Sequence, residues 1–248
     1  MKLIKRFGLI CLVALGLSAC VNTQQMNAQA ESQYSQFKHK ARALGVLDTQ
    51  STTAKRVHQV FNKMKPYAER ENQTGIPFQW EVAVIKDKEL NAWAMPGGKM
   101  AFYTGLVDQL KLNDDEIATV MGHEMVHALH EHSKAGANRS AVTDTLFAIT
   151  GAVVGDVNLG GVSGLDVLKT YAVDNVFSRS DESEADEYGL YLMAKAGYNP
   201  KAAPGLWTKM ASATGGSGGF FSTHPADSDR QANMQKWLPQ ALAFYNAR

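Results

Sequence analysis

The sequence predicts an α+β domain that is mostly helical, with a small antiparallel sheet beside one long buried helix. Residues 114–132 carry apolar side chains at three- and four-residue intervals, as a buried helix does. Residues 80–103 instead contain short runs of β-branched and aromatic residues around the turn sequence Pro96-Gly97-Gly98. With 248 residues, 45% of them apolar, the chain is large enough for one sizeable core.

Residues 1–19 are predicted to be a lipoprotein signal peptide that is not part of the fold. A basic start is followed by an apolar run, residues 7–17, that is too short to cross a bilayer. Residues 17–20, Leu-Ser-Ala-Cys, resemble a bacterial lipobox, so cleavage would leave a lipid-modified Cys20 at the N-terminus. The alternative is a plain secretory signal with an incidental cysteine. A lipid anchor would attach the protein to a membrane without spanning it.

The cysteine content and the charge balance further limit the ligands, the location and the partners that we expect. Cys11 lies in the removed segment, so the mature chain would hold no disulfide and no cysteine-ligated zinc. Val21 stands where an aspartate would signal inner-membrane retention, and by resemblance to other lipoproteins we expect the periplasmic side of the outer membrane. The balance of 25 basic against 24 acidic residues, without a basic block, argues against a nucleic-acid partner.

The next elements follow from composition and periodicity. Residues 20–35 are polar and rich in Gln, Asn, Ser and Ala, which predicts a lipid-anchored tether before a folded domain over residues 36–248. Residues 51–71 carry apolar side chains at helical spacing and predict an amphipathic helix. Strands are predicted over residues 80–85, 91–95 and 99–103, and we expect them to form the antiparallel sheet.

The long helix, predicted from Asp114 to His132, has clear start signals. Asn113 is a favourable N-cap, and Glu116 stands three residues later, as in a capping box. The first turn is acidic, which the helix dipole favours. Farther along the chain, glycines interrupt residues 141–175, which predicts two buried helices joined by a mobile turn. A second glycine cluster, residues 215–219, predicts a flexible loop and not a phosphate cradle.

Within the long helix, His123, Glu124 and His127 form the pattern H-E-x-x-H. Residues four apart lie on one face of a helix, so both imidazoles can point at a single metal ion. Glu124 lies next to that face and can reach a water on the metal. Two histidine ligands and a nearby glutamate, with one coordination position of the metal left open, are typical of a hydrolytic zinc centre. The alternative, an ordinary helix with surface histidines, does not require a glutamate at this offset.

A catalytic zinc usually takes a third protein ligand. Ser133 stands where the metzincin pattern has its third histidine, so this ligand must come from elsewhere. The acidic run 181–187 is the best candidate, at the start of a helix expected to end near Gly197. Glu182 and Asp186 share a face, so one could bind the metal while the other orients a ligand histidine. The spacing does not say which, and a solvated acidic turn is the alternative.

Several segments resemble motifs of the minimal gluzincin metalloproteases, and they occur in the same order along the chain. This family includes the CAAX prenyl protease, the bacterial heat-shock membrane protease and the mitochondrial stress-activated protease. The likeness covers about residues 51–230 and is greatest to the soluble periplasmic lipoprotein branch. It rests on residues 91–98 with 103–106, on 122–127 with His132, on 178–179 with 182–186, and on Thr223-His224-Pro225 with Arg230.

The resemblance implies a gluzincin-type zincin fold and a role for each site residue. Glu182 is the implied third zinc ligand, beside His123 and His127, with Asp186 orienting a ligand. Arg230 is expected to be a structural partner of the acidic residues. His224 is expected to face the metal, where it either stabilises the oxyanion or fills the open metal position at rest. The remaining histidines are expected to be structural or on the surface: His39, His58, His130 and His132.

The resulting hypothesis is a zinc-dependent metalloendopeptidase, with one zinc per chain and Glu124 as general base on a zinc-bound water. Unfolded or misassembled envelope polypeptides are the expected substrates, with an outer-membrane protein as a further candidate partner. The substrate would pair as an added strand along Asn91, Ala92, Trp93, Ala94 and Met95. The alternative is an envelope chaperone or assembly factor with a latent site held shut by His224. A small-molecule hydrolase is disfavoured because it needs a closed pocket.

Overall fold

The computed structural model describes residues 22–138, 176–225 and 229–247. The predicted signal peptide and the glycine-interrupted segment 141–175 lie outside the described residues. The predicted fold class is confirmed: helices surround one small sheet. The strands are β1 (Glu81–Ile85), β2 (Ala92–Met95) and β3 (Lys99–Tyr103). The main helices are α1 (Thr23–Ala43), α2 (Thr52–Glu71), α3 (Thr104–Gln109), α4 (Asp114–Leu129), α5 (Arg179–Lys195), α6 (Ala203–Thr214) and α7 (Arg230–Asn246).

The three strands form a mixed sheet in the order β1-β3-β2. Strands β2 and β3 pair antiparallel as predicted, and the turn between them has Gly97 at φ 76° and Gly98 at φ 81°. Strand β1 pairs with β3 in parallel, so the prediction of an entirely antiparallel sheet is wrong. The connection after β1 crosses to the far edge, which leaves β3 in the centre and β2 with an edge that no described residue pairs.

Helix α1 occupies most of the segment predicted as a tether, so that prediction is wrong from Thr23 onward. Asn22 caps the helix and shares a capping box with Gln25. The buried side chains recur at helical spacing and pack on the sheet in a core of their own: Ala30, Tyr34, Phe37 and Ala41. The polar composition hid this stripe, because only one residue in three or four has to be apolar.

Helix α4 lies at the centre of the main core, where nearly all of its residues are buried. It packs closely on α5 through two glycines. A Cβ atom on Gly122 would meet the Gly189 carbonyl oxygen at 2.6 Å, and one on Gly189 would meet the His123 backbone nitrogen at 2.7 Å. The two helices therefore approach each other closely where α4 bears its histidines.

Helix α4 begins where predicted and ends at Leu129, three residues before the predicted end at His132. The reason is local: Glu131 has φ 53°, a left-handed conformation that ends the helix, and a new helical segment covers residues 132–138. None of the helices within the described residues combines the length and apolar character needed to cross a membrane.

Candidate metal centre

Four buried side chains converge beneath the sheet. One ligand atom from each of His123, His127, Glu182 and His224 lies within 4.8 Å of the other three. Helix α4 supplies the first two, α5 supplies the glutamate, and the short segment between α6 and α7 supplies His224. The structure thus brings together residues that lie as many as 101 positions apart in the sequence.

The two histidines of α4 are one turn apart, and their Nε2 atoms are 3.0 Å from each other. Burial lowers the pKa of His123 to about 4, although the nearby carboxylates of Glu182 and Asp186 oppose the shift. Burial also holds the pKa of His127 well below its usual range. Both rings are therefore neutral at pH 7, which is the form of imidazole that binds metals.

Glu182 enters from the first turn of α5, which begins with a capping box between Ser178 and Asp181. Its Oε1 atom is 2.9 Å from His224 Nδ1 and 3.3 Å from His127 Nε2. Burial would raise the pKa of Glu182, but the facing histidines outweigh it and hold the pKa well below the usual range. An ionised carboxylate therefore faces the neutral rings.

Asp186 lies one turn farther along α5 and contacts the other side of His123. Its Oδ1 is 3.0 Å from His123 Nδ1. Arg230 donates to Asp186 through Nε at 2.7 Å and Nη2 at 2.6 Å, and its guanidinium stacks on Trp207. Burial alone would raise the pKa of Asp186, but Arg230 and His123 outweigh burial and hold the pKa below its usual value. The ionised carboxylate therefore accepts the Nδ1 proton of His123. The Nε2 lone pair of His123 is then directed at the cluster.

Glu124 is fully buried beside these four residues, and within the described part of the chain neither carboxylate oxygen accepts a hydrogen bond of ordinary geometry. His224 Nε2 lies 3.3 Å from Oε1. Burial raises the pKa of Glu124 to about 7, although His224 and the backbone amide of Ala94 act in the opposite direction. A carboxyl group with its pKa near neutrality can take up and release a proton at physiological pH.

The unpaired edge of the sheet runs beside this glutamate. The Asn91 carbonyl accepts a hydrogen bond from Tyr103 of the central strand. Successive residues of a strand direct their backbone groups to alternate sides, so the amides of Ala92 and Ala94 face the unpaired edge. The effect of the Ala94 amide on the pKa of Glu124 agrees with this orientation.

The donor set fits a zinc ion. Two neutral imidazole nitrogens and an ionised carboxylate are ligands that zinc prefers. Glu182 Oε2 is buried without a hydrogen-bond partner, an arrangement that a cation would compensate. His123 already has its orienting carboxylate in Asp186, the companion that metal-bound histidines usually have.

Some contacts at this site were not indicated by the sequence. His132, expected to be structural or on the surface, is buried and contacts His127, while Glu184 contacts both His130 and His132. Aromatic rings enclose the cluster: Phe177 stacks on His127 and Phe220 on His224. His132 stood out in the sequence only as the last residue of the predicted helix and as part of the family resemblance, and neither indicated a contact with His127.

Comparisons with known proteins agree with this geometry. The chain is 36% identical over 166 residues to the mitochondrial metalloendopeptidase OMA1 of Schizosaccharomyces pombe, covering 66% of this chain and 48% of that one. It is 29% identical over 252 residues to the metalloprotease YcaL of Escherichia coli, covering 95% and 97%. The metalloprotease LoiP of Escherichia coli is 31% identical over 165 residues, covering 66% and 64%.

The chain thus spans about half the length of the OMA1 protein that it matches. The sequence profile described as peptidase family M48 matches residues 51–238, which include every residue of the cluster. The family resemblance seen in the motifs is therefore confirmed. The chain belongs to peptidase family M48, the zinc metalloproteases.

Proposed function

We propose that this protein is a zinc-dependent metalloendopeptidase. The observation that carries the proposal is the convergence of His123, His127 and Glu182 beside the buried carboxyl group of Glu124. The first three would hold the zinc, and Glu124 would act on the substrate water. YcaL, which matches over nearly its whole length, is also named a metalloprotease, and this supports the same reaction for the present chain.

The residues of the chain suit the steps of peptide hydrolysis. Zinc in such a site supplies Lewis acidity that favours deprotonation of water and polarises the scissile carbonyl. Glu124, with its pKa near neutrality, accepts a proton from the attacking water and donates it to the leaving amine. The carboxylates of Glu182 and Glu124 raise the pKa of His224 despite its burial, so its ring can donate a hydrogen bond to the developing oxyanion.

The substrate would be an extended polypeptide that pairs along β2. The backbone groups of Ala92 and Ala94 that face away from β3 support this, because hydrogen bonds from them would recognise the backbone of the substrate more than its side chains. Specificity would then be broad and directed at unfolded or misassembled chains. The lipobox ending at Cys20 supports attachment to the periplasmic side of the outer membrane, where envelope proteins are the accessible substrates and an outer-membrane protein is a candidate partner.

Zinc dependence tests this proposal directly. We expect the purified protein to hold one zinc per chain by elemental analysis and to cleave unfolded casein. A chelator should abolish cleavage, and added zinc should restore it, because the ligand residues remain in place. A folded protein that binds no zinc, or that cleaves casein equally well in chelator, would show that the proposed reaction is wrong.

One observation supports a second candidate function, a chaperone or assembly factor with a latent metal site. His224 Nδ1 lies 3.1 Å from His123 Nε2 and 2.9 Å from Glu182 Oε1, among the ligand atoms themselves. A neutral His224 there could hold the open metal position shut, and clients would then be bound without cleavage.

Replacing His224 distinguishes the two functions. If His224 donates to the oxyanion, His224→Ala is expected to lower kcat for casein by about 10²–10³-fold, because that donor acts on the transition state. Zinc content should stay at one per chain. A variant that cleaves casein faster than the wild type would instead support the latent site and contradict the catalytic role of His224.

A further inference from the structure

His127 has a neighbour at the ring nitrogen that faces away from the cluster. Its Nδ1 atom is 2.9 Å from Nδ1 of His132, which is 4% exposed and lies just beyond the end of α4. The other nitrogen of His132, Nε2, is 3.4 Å from Oε2 of Glu184 on α5. The three side chains therefore form a chain of contacts leading from the cluster to the half-exposed carboxylate of Glu184.

Only one assignment of protons lets this chain serve a metal ligand. A His127 that binds through Nε2 carries its proton on Nδ1 and donates it to Nδ1 of His132. His132 then carries its own proton on Nε2, which faces the Glu184 carboxylate. In the opposite assignment His132 donates to His127, whose proton would lie on Nε2 and point at His123 instead of a metal.

We propose that His132, backed by Glu184, is a positioning residue that fixes the tautomer and orientation of His127. The inference rests on the proposed zinc site. It gives His127 the kind of support that Asp186, held by Arg230, gives His123. Each ligand histidine of α4 then has its own hydrogen-bond partner behind it, one from α5 directly and one through the segment that follows α4.

The same residues have a second reading as a metal site of their own. One ligand atom from each of His130, His132 and Glu184 lies within 4.8 Å of the other two. A cation on His132 Nε2 would force the proton of that ring onto Nδ1, facing His127. His127 would then lose the tautomer that zinc requires, so the two sites oppose each other. The observations therefore favour the positioning role, and a second cation becomes an outcome of the test.

Zinc affinity, measured by competition with a chromogenic chelator, tests the proposal without relying on catalysis. We expect His132→Leu to weaken zinc binding by about 10–100-fold, because His127 loses its acceptor. His132→Asn should recover most of the affinity, because an asparagine Oδ1 can stand where the ring Nδ1 accepts. Glu184→Ala should weaken binding in the same direction. His130→Ala is the matched control: it also contacts Glu184 but not His127, and its affinity should equal that of the wild type.

The possible outcomes separate the readings. Wild-type affinity in His132→Leu, or no recovery in His132→Asn, would overturn the positioning role. A second zinc per chain that disappears in His130→Ala would overturn it in favour of a metal site. Should His132→Leu fail to fold, the comparison of Glu184→Ala with His130→Ala decides, since equal affinities contradict the proposal. If the wild type binds zinc yet cleaves nothing, the endopeptidase is refuted, and the same order of affinities would still support the positioning role.

Discussion

Replacing Glu124 with glutamine is expected to leave zinc bound and to lower kcat/KM for casein by about 10²–10⁴-fold. Glutamine keeps the size of the side chain but cannot accept the proton of the attacking water. The amide oxygen of glutamine can still face His224 Nε2, which lies 3.3 Å from Oε1 of Glu124, so the change disturbs few contacts. The loss should therefore appear in catalysis and not in folding.

Zinc content and the midpoint of urea unfolding serve as the controls for this variant. Burial disfavours the charge of Glu124 and raises its pKa to about 7, so replacing the carboxyl with a neutral amide in Glu124→Gln should cost the fold little. The same amide replacement at Glu71, half-exposed and paired with Lys195 at the opposite end of α5 from Glu182, should leave cleavage unchanged. A Glu124→Gln protein that cleaves casein at the wild-type rate would rule out Glu124 as the general base.

The sequence predicted the parts of the site whose geometry is local. The capping residues and apolar stripe of α4 are encoded within about 20 residues, and helical geometry then places His123 and His127 on one face. Glu124 follows from the same register. The start of α5 was likewise indicated by its acidic first turn. In each case the physical determinant, a repeat of 3.6 residues or a cap, is contained in the segment itself.

What the sequence left open depends on contacts between distant segments. Spacing placed Glu182 and Asp186 on one face of α5, but only the packing of α5 on α4 through Gly122 and Gly189 brings each carboxylate to a different histidine. The family resemblance indicated in advance that Glu182 is the metal ligand and Asp186 the orienting carboxylate. The parallel pairing of β1 and the burial of α1 were missed for the same reason, since a strand or a polar helix does not encode its partner.

The charges around the cluster are unbalanced. Glu182 and Asp186 are both buried and their pKa values are lowered, so both carry charge at neutral pH. Arg230 is the buried guanidinium that contacts them, with Nη2 2.6 Å from Asp186 and Nη1 3.4 Å from Glu182. Burial disfavours the charged form of Arg230, but the Asp186 carboxylate outweighs this effect and raises the pKa of Arg230. The stability of the site without zinc should therefore depend strongly on this one side chain.

Arg230→Met is accordingly expected to lower the free energy of unfolding by about 3–5 kcal/mol, because it leaves the buried Asp186 carboxylate without its ion pair. Urea unfolding in chelator measures this without the added stability of bound zinc. A second change, Asp186→Asn, should restore part of the loss, because the amide still accepts the His123 proton but carries no charge. Arg56→Met removes a partly exposed pair with Asp114 and should cost at most about 1 kcal/mol. If Arg230→Met costs no more than Arg56→Met, Arg230 does not compensate the buried carboxylates.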